Sequence, residues 1–162
     1  MIENEEPRPL SEALVVAPVE LGTLVAYTPQ EMVQQASEMA GVLKDIIAKR
    51  RLYTNIRGKA HVRCEGWTTL IAMLGIIPRE VSSIELEDGS YEAVVELVRI
   101  KDQAVIGRAS AVCGMDEATW KTRAKYARKS MAATRATGKA CRLSFSWIME
   151  LAGYEVTPAE EM

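Results

Sequence analysis

The chain has 162 residues, 48% hydrophobic and 26% charged, which suits one ordinary domain with its own core and leaves little room for two. No apolar run approaches the ~18 residues of a membrane span. The acidic start lacks the basic-then-apolar order of a secretory signal, so a cytoplasmic protein is the expectation. Three scattered cysteines (Cys64, Cys113, Cys141) and a single histidine, His61, offer neither a disulfide framework nor metal-ligand spacing. Buried reduced thiols, no metal and no cofactor are expected.

In chain order, residues 1–20 are rich in Glu and Pro and read as an acidic flexible arm, with Met1 to about Leu10 disordered. Leu14 to Tyr27 is apolar and valine-rich, which fits a short strand or extended arm. Thr28-Pro29-Gln30-Glu31 is a helix start: Thr28 caps, Pro29 suits the first helical position and Glu31 completes a capping box. Met32, Ala36, Met39, Leu43, Ile46 and Ile47 recur at helical spacing, so this helix runs to about Arg50. Leu52–Ile56 and Ala60–Cys64 read as a hairpin around Arg57-Gly58-Lys59. Gly66 to Leu74 is a short apolar helix closed by Gly75 and Pro78. Val81–Glu87, Tyr91–Ile100 and Ala104–Cys113 form a three-stranded meander turned by Asp88-Gly89 and Lys101-Asp102-Gln103. A long helix then starts at Asp116 and ends just before Gly153. The predicted class is α+β: an antiparallel hairpin and meander packed on a long C-terminal helix, with residues 21–154 as the domain and 155–162 as an acidic tail.

The net charge of −2 hides an asymmetry. Residues 1–20 sum to −4 and residues 155–162 to −3, leaving +5 on the middle. Between residues 118 and 149 there is no acid at all. Lys121, Lys125, Arg128, Arg135, Lys139 and Arg142 step by 4, 3, 7, 4 and 3, a spacing that lays them along one stripe of a helix. A second stripe (Trp120, Ala124, Ala127, Met131, Thr134, Gly138, Cys141, Phe145, Ile148) is apolar and small, and lets the helix approach its neighbour closely. Adjacent like charges on a helix repel by a few tenths of a kcal/mol per pair; a phosphate backbone would offset that cost by releasing its counterions. The alternative is a face neutralised by acids from elsewhere in the fold, and the absence of local acids favours the phosphate reading. A second cluster, Lys49, Arg50, Arg51, Arg57, Lys59 and Arg63 with Tyr53, surrounds the hairpin and suits a single strand, whose phosphates seek cations and whose bases seek a flat surface.

The run Tyr126-Ala127-Arg128-Lys129-Ser130-Met131, then Thr134-Arg135-Ala136 and Gly138-Lys139-Ala140-Cys141-Arg142, resembles the single-strand annealing proteins of the Rad-type annealase, DdrA and Red-beta superfamily. Glu65-Gly66-Trp67 and the closing Leu151 to Met162 resemble its phage and bacterial members especially. The resemblance spans about Thr28 to Gly153. It implies a β-β-β-α core with a hairpin, side-by-side rings or arcs of subunits, and DNA running between hairpin and long helix. It implies ATP-independent annealing in recombination or repair, with no nucleotide cofactor. The implied partners are single-stranded DNA, further copies of the chain, and a host or phage single-strand-binding protein or exonuclease. Arg128, Lys129, Arg135, Lys139 and Arg142, with Lys125, would hold phosphates, while Arg50, Arg51, Tyr53, Arg57 and Lys59 would form the other wall.

Catalysis is not expected. His61-Val62-Arg63 and the scattered cysteines do not meet the zinc-deaminase signature, there is no Walker-type loop, and the acids are too dispersed for a Mg²⁺ site. The other readings are a general DNA- or RNA-coating module without annealing activity, and a protein-interaction scaffold.

Overall fold

The structure, a computed structural model, describes residues 16–162. The expectation of disorder for residues 1–10 lies outside them. From residue 19 the chain is already ordered: β1 (Val19–Leu21) and β2 (Leu24–Ala26) form a small antiparallel hairpin turning at Gly22, whose φ is +60°.

Helix α1 (Pro29–Arg50) starts on the expected capping box, with Thr28 accepting from the Glu31 amide and the Glu31 carboxylate accepting from the Thr28 amide. It ends at Arg51 in the left-handed region. The hairpin β3 (Tyr53–Ile56) and β4 (Lys59–Val62) turns through Arg57 and Gly58, both at positive φ (52° and 80°), as a two-residue type I′ loop requires. Helix α2 (Cys64–Met73) follows and closes at Gly75, φ +68°.

The meander β5 (Ile76–Glu85), β6 (Tyr91–Arg99) and β7 (Val105–Cys113) is antiparallel throughout, with β6 in the centre. Pro78 lies on edge strand β5, where a missing N–H is tolerated. Alternation on β6 buries Tyr91, Ala93, Val95 and Leu97 toward α3 (Lys125–Leu151). The α+β architecture expected from the sequence is therefore the one observed, with the meander packed on the long helix. No helix among the described residues is long and apolar enough to cross a membrane.

The core has two parts. The larger joins α1, α2 and the second half of α3 around Trp67, Leu43, Ile47, Phe145 and Ile148. The smaller sets Ala132 and Ala136 of α3 against Tyr91, Ala93, Val95 and Cys113 of the sheet. Alanine facing alanine brings the helix axis close to β6. The helix bends at Phe145, whose φ of −135° and ψ of 17° leave the helical range.

Two expectations for this helix need correction. It begins at Lys125, not Asp116, because residues 114–124 form a chain of turns whose Trp120 and Arg123 carbonyls are taken by the Arg128 guanidinium. Lys121 therefore does not belong to a helical stripe. The buried face of the first half is Arg128, Ala132 and Ala136, not Ala124, Ala127 and Met131, so the apolar stripe was read about one position out of phase.

Because Ala93 and Ala136 are fully buried, enlarging either should strain the helix–sheet contact. Ala136→Leu is expected to lower stability by about 1–3 kcal/mol in urea denaturation; an unchanged midpoint would mean that α3 is not seated on β6 as described.

Candidate nucleic-acid interface

The structure distributes the helix cations among four different environments. Arg128 is buried, 6% exposed, and its guanidinium donates to the carbonyls of Gly89, Trp120 and Arg123. It ties the β5–β6 turn to the loop before α3, and its place on the buried face takes it out of any phosphate-binding row. Lys125 is exposed and pairs with Glu85 at 2.8 Å. Lys129 is exposed and has no carboxylate partner among the described residues. Arg135, Lys139 and Arg142 gather on one side, facing the edge of β7.

Arg135 is the most tightly held of these. It donates twice to Glu117, at 2.6 and 2.7 Å, and also to the carbonyls of Val112 and Glu160. Its guanidinium carbon stands 6.0 Å from the Trp120 ring centroid, within cation–π range. The Glu117 carboxylate also accepts from the Gly114 amide. Its pKa is held below the usual carboxylate range, first by the hydrogen bonds from Arg135. Arg142 donates to both oxygens of Glu161, the shorter contact 2.8 Å. Lys139 reaches the Ser110 carbonyl at 3.2 Å. Arg135, Lys139, Glu117 and Glu161, with Ala111, Val112 and Met162, line an open recess of about 440 Å³.

The expectation of a stripe without internal counter-charges is thus corrected: three of its cations, Lys125, Arg135 and Arg142, have carboxylate partners. The acids come from elsewhere in the fold, Glu85 from β5, Glu117 from the loop before the helix and Glu161 from the last residues. No charge count within the helix could reveal them.

On the opposite wall, Arg50, Arg51 and Arg57 are exposed and pair with no carboxylate among the described residues. Lys59 sits 3.4 Å from Glu155. Tyr53 is not an open platform: it is half-buried against the core, its ring centroid 6.1 Å from that of Tyr154 at an interplanar angle of 36°.

Between the two walls runs residue 155–162, the segment read from sequence as an acidic tail. Helix α3 ends in a Schellman turn, with Gly153 N–H donating to Glu150 and Tyr154 N–H to Met149, and Gly153 at φ +85°. The chain then doubles back. Glu155 pairs with β4, its amide donating to the Ala60 carbonyl. His61, on β4, is 4% exposed and its Nδ1 donates to the Thr157 carbonyl at 2.9 Å. Pro158 lies against Gly138, where a Cβ would come within 3.2 Å of the proline ring. The 3-10 turn Ala159–Glu161 puts Glu160 at the start of α2, accepting from the Cys64 amide at 3.0 Å. An anion there suits the helix dipole, and α2 has no side-chain cap of its own. Burial, and then Glu160 and Glu65, push the Cys64 thiol up to about 12, so it stays protonated near neutral pH.

Sequence reasoning missed Glu117, His61, Glu160 and Glu161 as parts of this site. A signal was present for the last two: a run without acids from residue 118 to 149, a glycine stop, then acids within ten residues. No three His, Cys, Asp or Glu side chains among the described residues converge as metal ligands. Comparison with protein-family models, curated proteins and solved structures finds no match to this chain.

Two outcomes follow from this geometry. Arg128→Ala should cost about 2–4 kcal/mol of stability in urea denaturation, because it leaves buried carbonyls without a charged donor; a phosphate-binding role would instead leave stability unchanged. Glu117 has a folded-state pKa below its unfolded one, so its stabilisation is complete above the usual glutamate range and is lost as pH falls through the lower, folded value. Below about pH 4.3 the melting temperature of the native chain should therefore fall more steeply than that of Glu117→Gln; parallel curves would mean that this pair contributes nothing.

Proposed function

We propose that the chain binds single-stranded DNA in the slot between the β3–β4 hairpin and α3, and anneals complementary strands without a nucleotide cofactor, as an oligomer. One observation carries the proposal: an acidic piece of polypeptide lies in that slot, with carboxylates on cations from both walls, Glu155 on Lys59 and Glu161 on Arg142. Those carboxylates mark where anions are held in the slot, and the phosphates of a single strand ask for the same partners. Lys139, Arg142 and Lys59, with the exposed Lys129, Arg50, Arg51 and Arg57, are the contacts it would take. Arg135 positions the recess through Glu117 and Trp120 and contributes field more than direct contact. Annealing as the outcome of binding, and the ring or arc, rest on the resemblance of the α3 run to the annealase superfamily; bases held away from the cations would be free to pair.

The second reading is an acidic protein segment as the partner, favoured by the fact that the slot already accepts a peptide.

Annealing of complementary oligonucleotides by the native chain and by Lys139→Ala with Arg142→Ala tests the first reading. The double variant should fold normally and lose annealing, and its log affinity for oligo-dT should fall less steeply with log salt, by ~0.7 for each phosphate contact removed. Annealing at the native rate with an unchanged salt slope would reject this slot. Failure of the native chain to bind oligo-dT at low salt, with capture of a poly-glutamate peptide instead, would favour the second reading.

A further inference from the structure

We infer that residues 155–162 are a displaceable strap that occupies the strand-binding slot and must leave it before a polyanion can enter, so that binding is self-inhibited. The inference rests on the slot being the nucleic-acid site and adds how access to it is controlled.

Three observations support displacement over permanent closure. First, the strap leaves the body at one defined point, Gly153, whose φ of +85° reverses the chain just past the helix. Second, one of its two ion pairs is wet: the Lys59–Glu155 side chains are 64% and 38% exposed, and such a pair holds weakly and yields to salt, whereas Arg142–Glu161 is more enclosed and hydrogen bonds to Ala60, His61, Cys64 and Arg135 hold the rest. Third, its seating is imperfect. Glu160 Oε2 is buried with no hydrogen-bond partner, a desolvation cost that is relieved when the strap lifts. Among the described residues of the strap, the one buried side chain is that of Pro158, against Gly138.

Exchange of strap for strand is also balanced in charge. Each phosphate that replaces Glu155 or Glu161 takes a cation already neutralised, so few counterions are released at those positions. The native chain should therefore show a shallower salt dependence than its cation count implies.

Two variants of the full chain test this with oligo-dT as probe. Glu155→Gln with Glu161→Gln keeps the shape and removes both ion pairs. It should bind about tenfold more tightly at moderate salt, with a salt slope steeper by ~0.7 for each cation freed. Gly138→Cys with Pro158→Cys brings two Cβ atoms to about the separation a disulfide needs. Oxidised, it locks the strap down and should bind at least tenfold more weakly than the same protein after reduction. Equal binding by the oxidised and reduced forms, or no gain in the glutamine variant, overturns the strap and leaves the slot standing. No binding by any form, the glutamine variant included, overturns both.

Discussion

The close seating of α3 on the sheet is the constraint from which the rest follows. Ala132 and Ala136 pack against Ala93 and Val95, so this part of the helix meets β6 through small side chains. The arginines and lysine on the flank of that helix are consequently carried down to the level of the β7 edge. There they meet the carbonyls of Ser110 and Val112 and the loop that precedes the helix. Had the helix stood off by the width of a leucine, these side chains would extend into solvent and need no partner. Because it does not, they sit at 16% and 28% exposure for Arg135 and Arg142, where an unpaired guanidinium is costly.

That cost explains where the acids are. A half-buried arginine is stabilised when a carboxylate meets it in bidentate geometry and its remaining N–H groups reach carbonyls. Arg135 achieves this through Glu117, Val112 and Glu160, and Arg142 through Glu161. Arg128 takes the other solution: it has carbonyls only and acts as a pin between two loops. One basic-looking helix thus contains an arginine buried on carbonyls and three cations paired with carboxylates from elsewhere in the fold.

Local chemistry was legible in the sequence and distant pairing was not. The Thr28–Glu31 capping box, the turn at Arg57-Gly58 and the Asp88-Gly89 turn depend on residues within a few positions of one another, and each stands where the residues point; the first meander strand instead begins at Ile76, ahead of the expected Val81. The start of α3 was misread because Asp116 and Glu117 look like helix-capping acids, whereas Glu117 is committed to an arginine 18 residues away. The step pattern of the basic residues placed Arg128 beside Arg135, and a difference of a few tens of degrees around the helix put it instead in the core. Glu161 stands 19 residues beyond Arg142 and reaches it because Gly153 reverses the chain.

The correction to the charge pattern alters the physics of the site more than its location. Bare cations would grip any polyanion and release many counterions, giving tight, strongly salt-dependent and indiscriminate binding. Cations already held by carboxylates bind a strand only by exchange, one anion for another, so the net gain per contact is small. On the proposed reading, affinity would come from many contacts in register, of the kind a row of subunits would supply. Weak individual contacts also keep a strand mobile enough to test pairings against a complement. A protein that must hold a strand without trapping it is served better by neutralised arginines at the edge of a sheet than by the open basic stripe that the helix composition implies.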